Sequence, residues 1–383
     1  MLSLALARSC SSPLPPLAAP PAERLMMLLH AVQVLLLLLI LRVLNKIYDA
    51  VKPGPTRARP AAEAADAKPT IATLEPENGK VQGGGFRPPA EWTPLSSAEL
   101  DVLQKVRDWL DADGSRTWEK VPYDLRVGFV RGFQYRADWE RATCAFLDGA
   151  LEYRRESGIG EAVASASAAE RVVPKRTLFE RLMPGGLVGA DANGRPVVLD
   201  RLPSCTPAEL LEHFDEAALI RHTAYTNECI RAQCLAASWS RKTRVQKAVR
   251  VLDVGGLTLA HTDRKMVAIA QTLNGFLAFK YPESVARIYV INAPMIFSMA
   301  FAVVRTFLHP ITAEKFCVCS SNYAKQFAAD GIVLDGGATE VPQQIPSWGA
   351  HMARLREELP AELLKMGFLP PEDAEAMKAR RLL

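Results

Sequence analysis

The seven cysteines of this 383-residue chain, Cys10, Cys144, Cys205, Cys229, Cys234, Cys317 and Cys319, include no C-x-x-C pair, and no histidine stands at zinc-finger spacing from them. Their odd number and scatter exclude a zinc finger and argue against a disulfide framework, so a reduced compartment and no structural metal are expected. Charge of one sign is also scarce, since 46 Lys and Arg against 42 Asp and Glu give a net +4. With no basic run interleaved with aromatic residues, nucleic acid is excluded as a partner. Gly255-Gly256 lacks the rest of a G-x-G-x-x-G turn, no Walker pattern is present, and no G-x-S-x-G elbow exposes Ser320 or Ser321 to Asp253 and His261. A nucleotide cofactor and a hydrolytic triad are therefore set aside, and no enzymatic activity is expected.

Long apolar runs are rare too, with one exception near the N-terminus. Between Arg24 and Arg42, the 17 residues from Leu25 to Leu41 contain only His30 and Gln33 as polar side chains. At ~1.5 Å per residue such a helix is about 25 to 30 Å long, the lower edge of what crosses a bilayer. Arg42, Lys46, Lys52, Arg57 and Arg59 follow it, against Arg8 and Arg24 before it, which places the folded bulk on the cytosolic side. The expectation is a membrane-anchored protein with a transmembrane helix over 25–48, preceded by a disordered or targeting segment at 1–24. A transit peptide, a late signal peptide and a helix that only dips into the membrane are the alternatives. Residues 49–94, rich in Pro, Ala and Gly and containing Gly83-Gly84-Gly85, read as a disordered linker.

Periodic order begins at Ser96-Ser97-Ala98-Glu99, a capping box followed by Leu100, Leu103, Val106 and Leu110 at helical spacing. A short helix over Asp124 to Gln134 and a longer one from an Asp138 N-cap to Tyr153 complete a helical subdomain at 95–157. Strands are then predicted at Val197 to Arg201, Ala248 to Val254, Arg287 to Ile291 and Lys315 to Cys319. Helices fall at Pro207 to Ala237, Asp263 to Lys280, Phe297 to Leu308 and Asn322 to Ala329. This alternation predicts an α/β domain at 170–350, a mostly parallel sheet flanked by helices, with 351–383 as a helical tail. The basic run from Arg241 to Lys247 reads as a solvated turn, with membrane phosphate contact as the other reading.

The segment Phe297 to Leu308, stopped by Pro310, is apolar nearly all round. On periodicity alone it is either a buried crossover helix or a cover over a bound apolar molecule. Around it stand Tyr281-Pro282-Glu283, Arg287-Ile288-Tyr289-Val290-Ile291-Asn292-Ala293-Pro294, Phe297-Ser298-Met299-Ala300-Phe301 and Phe307-Leu308-His309-Pro310. These resemble the CRAL-TRIO lipid-binding domain family, and within it the phosphatidylinositol transfer protein-like branch. Asp191-Ala192-Asn193-Gly194-Arg195-Pro196-Val197 and Leu252-Asp253-Val254-Gly255-Gly256-Leu257 match further pieces in order, so the likeness covers about residues 95 to 350.

The resemblance implies a cavity between sheet and helices that encloses one lipid, with no cofactor beyond that ligand and a membrane surface as the other partner. Phe297, Met299, Phe301, Val304 and Phe307 would form the gate and touch the acyl chains. Glu283 and Lys315 occupy the positions whose carboxylate and ammonium suit inositol hydroxyls and phosphate, and Arg131 is what remains of the family's Arg-rich run. Ser284 stands where the family often carries Arg, which leaves an inositol lipid, another phospholipid and a sterol-like or tocopherol-like ligand open. An adaptor or lipid sensor that regulates a partner protein is the alternative function.

Overall fold

The computed structural model describes residues 89–113, 118–258, 264–294, 297, 301 and 310–383. The capping box forms as the sequence predicts: Ser96 N–H donates to Glu99 Oε2 at 2.7 Å and Glu99 N–H to Ser96 Oγ at 3.3 Å. It opens α1 (Ser97–Asp113), which α2 (Tyr123–Gly132) and α3 (Trp139–Ser157) follow. Asp138 does precede α3, but Arg136 takes its carboxylate at 2.7 and 3.1 Å in place of the helix N–H groups. The left-handed Gly158 (φ 67°) ends α3. Three short helices with no counterpart in the sequence reading come next, α4 (Ile159–Ala164), α5 (Ala166–Val172) and α6 (Arg176–Leu182).

Strands β1 (Gly185–Asp191) and β2 (Pro196–Arg201) form a hairpin. The single helix expected at Pro207 to Ala237 is two, α7 (Pro207–His213) and α8 (Glu216–Arg241). Each has its own cap, Thr206 Oγ1 accepting from Glu209 N–H and Asp215 Oδ1 from Ala218 N–H. Then follow β3 (Ala248–Asp253), α9 (Arg264–Lys280) and β4 (Val285–Ile291). Further along the chain come α10 (Pro310–Lys315), β5 (Phe316–Val318), α11 (Tyr323–Ala329) and β6 (Ile332–Leu334). The order across the sheet is β5-β4-β3-β2-β1-β6, parallel from β2 to β5 and antiparallel where β1 meets β2 and β6. This is the mostly parallel, helix-flanked sheet that the alternating pattern predicts.

Because side chains alternate along a strand, the register sorts the sheet into two faces. The rows Val198–Arg250–Ile288–Phe316 and Asp200–Leu252–Val290–Val318 form an inner face, reached by α8, α9, Phe297 and Phe301. The intervening row Leu199–Val251–Tyr289–Cys317 forms the outer face, packed under Tyr323 and Phe327 of α11. The C-terminal residues pack back on the body: α12 (Trp348–Glu358) and α13 (Ala361–Met366) lie against α8, while Met377 of α14 (Pro371–Ala379) and Leu382 enter the core of α1, α2 and α3.

The transmembrane helix expected at 25–48 is corrected here. Among the described residues no helix is long and apolar enough to cross a membrane, and 25–48 lies outside them, so the anchor reading is withdrawn.

Candidate functional site

The turn Tyr281-Pro282-Glu283 is built from both sides. Tyr281 Oη donates to Glu228 Oε1 at 3.1 Å on α8, and Ser284 Oγ donates to Tyr281 O at 2.8 Å. From α2, Gly128 and Gly132 bring the helix backbone against the turn: a Cβ at Gly132 would lie 2.5 Å from Pro282 Cβ, and one at Gly128 2.5 Å from Gln246 Nε2. Glu283 is held in the left-handed region (φ 55°), a conformation that costs a non-glycine residue of order 1 kcal/mol and that tends to persist where function needs it.

Glu283 lies two residues before β4, Lys247 directly precedes β3 and Lys315 directly precedes β5, so three charges meet at the starts of three adjacent parallel strands. Glu283 Oε2 pairs with Lys247, and Glu283 Oε1 lies 3.8 Å from Lys315 Nζ. The side chains of Glu283, Lys247 and Lys315 are 11%, 12% and 23% exposed, so the cluster is largely desolvated yet reachable. Burial pulls the Lys315 pKa below its ordinary value; Glu283 opposes that shift and the like charge of Lys247 adds to it. Lys315 itself ends α10 where the sequence reading has it opening the strand.

Lys247 is the member that sequence reasoning missed, having read it as part of a solvated turn. Its backbone is pinned, since the N–H groups of Gln246 and Lys247 donate to Glu91 Oε2 at 2.8 and 2.7 Å. The signal was positional, a lysine directly before an apolar strand, the relation that Lys315 also has.

Arg131 lies elsewhere. It is buried, and all five of its N–H groups are engaged: Nε donates to Glu99 at 2.7 Å, Nη1 to the carbonyls of Ala90 and Glu91, and Nη2 to those of Thr93 and Pro94. It fixes the chain entering α1 and has no donor left for a headgroup. Asp373, fully buried, does the same for the C-terminal residues by accepting from Leu95 N–H at 2.9 Å and Tyr123 Oη at 2.6 Å while pairing with Arg244.

Beside the inner face lies a cavity of about 230 Å³ between α6, α8, α9 and the strands β2 and β3. Its polar end carries Arg176 and Glu180, whose Nε and Oε1 are buried without hydrogen-bond partners; burial raises the Glu180 pKa, with Arg176 opposing. His222 in its wall is stacked on Phe179 (ring centroids 4.1 Å apart), and burial lowers its pKa to about 4. The charge of Arg250 in the floor is neutralised by Asp200 at 2.5 and 3.0 Å. The rest of the inner face is apolar; Val198 and Val290 are fully buried on it, while Leu252, Ile288, Phe316 and Val318 are half-buried, and on the outer face Leu199, Val251 and Tyr289 are fully buried and Cys317 half-buried. Apolar side chains on a helix-covered face that stay half-open border a space that side chains do not fill.

Of the expected gate residues, Phe297 and Phe301 stack on each other (6.2 Å, 6° between planes), and the Phe301 ring stands 5.1 Å from Phe316 on the inner face. Met299, Val304 and Phe307 lie outside the described residues.

Comparison with known proteins adds the relationship. Residues 181–331 match the CRAL/TRIO domain. The SEC14 cytosolic factor of Kluyveromyces lactis is 23% identical over 255 residues, 65% of this chain and 81% of that protein. The phosphatidylinositol/phosphatidylcholine transfer protein SFH4 of Arabidopsis thaliana is 28% identical over 226 residues, 59% of this chain and 36% of that protein. A crystal structure of Sfh5 aligns over 70% of this chain and 99% of its own with 14% identity and a TM-score of 0.46. The word cytosolic in the first relative's name also runs against the membrane-anchored placement expected from the sequence, and that placement is withdrawn with the anchor helix.

Proposed function

We propose, since the chain is a member of the CRAL-TRIO family similar to its phosphatidylinositol transfer protein-like members, that it binds one phospholipid and exchanges it between membranes. In this reading the inositol phosphodiester sits at Lys315, the ring hydroxyls donate to Glu283, and the acyl chains lie over the inner face under the segment from Phe297 to Leu308. No bond is made or broken. The free energy comes from keeping chain methylenes out of water, ~0.8 kcal/mol each, so a lipid in the protein competes with the same lipid in a bilayer.

The observation that carries this reading is the half-buried apolar floor of Leu252, Ile288, Phe316 and Val318, of which Leu252 lines the cavity, on strands that start beside a desolvated cluster of charges. An ordinary α/β crossover would close such a face to native packing density. Native mass spectrometry of the protein purified from cells is expected to show one phospholipid per chain; a protein without lipid would turn the reading to the adaptor alternative. Replacing Glu283→Ala together with Lys315→Ala is expected to lower phosphatidylinositol transfer between vesicles at least tenfold, by analogy with removing two charge-assisted contacts of about 1.5–3 kcal/mol each. Unchanged phosphatidylinositol transfer would remove the headgroup assignment.

A further inference from the structure

Trp92 and Trp239 are 45% and 42% exposed, although a tryptophan left in water forfeits much of the burial that folding offers it. They belong to one continuous strip. The Trp92 ring faces the Arg195 guanidinium at 5.4 Å, in the turn between β1 and β2. The neighbouring Gly194 (φ 79°) presses that turn against the end of α8, where a Cβ on the glycine would lie 2.5 Å from Arg241 Cδ. Arg241 is the last residue of α8. Lys242 follows it in the left-handed conformation (φ 57°) that helix ends usually reserve for glycine, and lays its ammonium 3.6 Å from the centre of the Trp239 ring. That ring also meets Phe368 at 82°, with centroids 6.4 Å apart. The charges of the strip do not cancel. Glu91 and Asp191 both pair with Arg195, whereas Arg241 and Lys242 are exposed and form no ion pair among the described residues. The Trp239 ring holds Lys242 in place but leaves its charge intact. None of these side chains lines the cavity beside the inner face, so the strip is separate from that site.

We propose that Trp92, Trp239, Arg241 and Lys242 form a docking surface for the headgroup layer of a bilayer that contains anionic phospholipid. The surface goes beyond the lipid-exchange reading, because it would hold the protein on a membrane whether or not a lipid enters the cavity. A tryptophan, with an apolar ring and one N–H donor, is at home where acyl chains give way to headgroups. Arginine and lysine lay their stems along such a ring and reach the phosphates with their charged ends. Each cation close to an anionic surface strengthens binding about fivefold. A protein partner fits this strip less well. The cores of protein interfaces are depleted of lysine, and here a lysine lies over the ring that would have to be the core. Nucleic acid would need a longer series of phosphate contacts than two unpaired cations supply.

The test is tryptophan fluorescence of the full chain, mixed with vesicles whose phosphatidylcholine carries bromine on the acyl chains close to the headgroup, with or without phosphatidylserine. Trp118 and Trp348 are buried, so quenching reports the tryptophans that reach the bilayer. Wild-type emission is expected to be quenched by the phosphatidylserine vesicles, and to need about tenfold more of the vesicles that lack it. Trp92→Phe with Trp239→Phe should remove most of the quenching. Arg241→Gln with Lys242→Gln should raise the vesicle concentration at half-quenching roughly thirtyfold, two factors of about five. These two cations have no ion pair to lose, so their variant decides the matter if the tryptophan variant does not fold by circular dichroism. Wild-type emission that no vesicle quenches, full quenching without Trp92 and Trp239, or a half-quenching point unmoved by the loss of both cations overturns the proposal. Phosphatidylinositol transfer is measured on the same wild-type sample, and quenching without transfer would support the docking surface while overturning the exchange reading, so the two failures are distinguishable.

Discussion

Two groups of buried charges in this molecule are each made of cations paired with carboxylates and end in opposite states. In the first, Arg131 has all five donors filled and Asp373 accepts from a backbone N–H, a phenol and a guanidinium. In the second, two lysines share one carboxylate held in a strained backbone conformation. Saturated polar groups fix a structure; groups with capacity left over can bind something. The first group sews the entry and C-terminal residues to the helical core, and the second stands at the starts of three adjacent strands.

The comparison is most exposed to failure at Asp373. Asp373→Ala leaves Arg244 and Tyr123 buried without their partner, and chemical denaturation is expected to show a loss of about 4 kcal/mol with lipid selectivity intact in whatever protein folds. A loss below about 1 kcal/mol would mean that the clasp does not hold the structure.

Next in size is an acid limb in stability. The His222 pKa is lowered to about 4 by burial, so the unfolded chain takes up a proton first as pH falls below its ordinary value of ~6.5. Stability should therefore be level above pH ~6.5 and fall by about 3 kcal/mol toward pH 4. Burial acts to raise Glu99, but the hydrogen bonds from Ser96 and Arg131 overcome it and hold the carboxyl below its usual range. Its contribution, present above the unfolded carboxylate range, is lost only at still lower pH. Urea midpoints measured from pH 8 to pH 4 check this, and in His222→Phe the first limb should flatten.

The smallest effect separates the two groups most sharply. Glu283→Gly relieves a left-handed non-glycine residue but leaves Lys247 and Lys315 without their carboxylate, so the two effects oppose and a net change within about 1 kcal/mol is expected while inositol lipid transfer falls. A loss of several kcal/mol, like that at Asp373, would erase the distinction drawn here.

What could be read from the sequence was what neighbours in the chain determine. The capping box at Ser96 and Glu99, the strands from Val197, Ala248 and Arg287, and the placement of Glu283 and Lys315 beside each other all come from short-range pattern or from the family likeness. What escaped was set by distant partners. Strand β1 carries Gly185, Gly186 and Gly189 and shows no alternating signal. Gly189 (φ 155°) lets β6, more than 140 residues later, come so close that a Cβ there would lie 2.1 Å from Val333 O. The break between α7 and α8 was written locally in Asp215 but masked by apolar residues on both sides. Lys247 reaches Glu283 only because β3 and β4 are parallel neighbours, a pairing that no local window contains.

The strand starts carry the charges and the strand bodies carry the apolar floor, so for a lipid bound as proposed the sheet would work as a ruler. A strand of six residues measures roughly 17 Å from its first to its last residue. A molecule tethered by its polar end at Lys247 and Lys315 would be gauged along that distance, with its tip falling near Leu252, Val290 and Val318. Lengthening or trimming these strands should retune which tail fits before it alters which head is gripped.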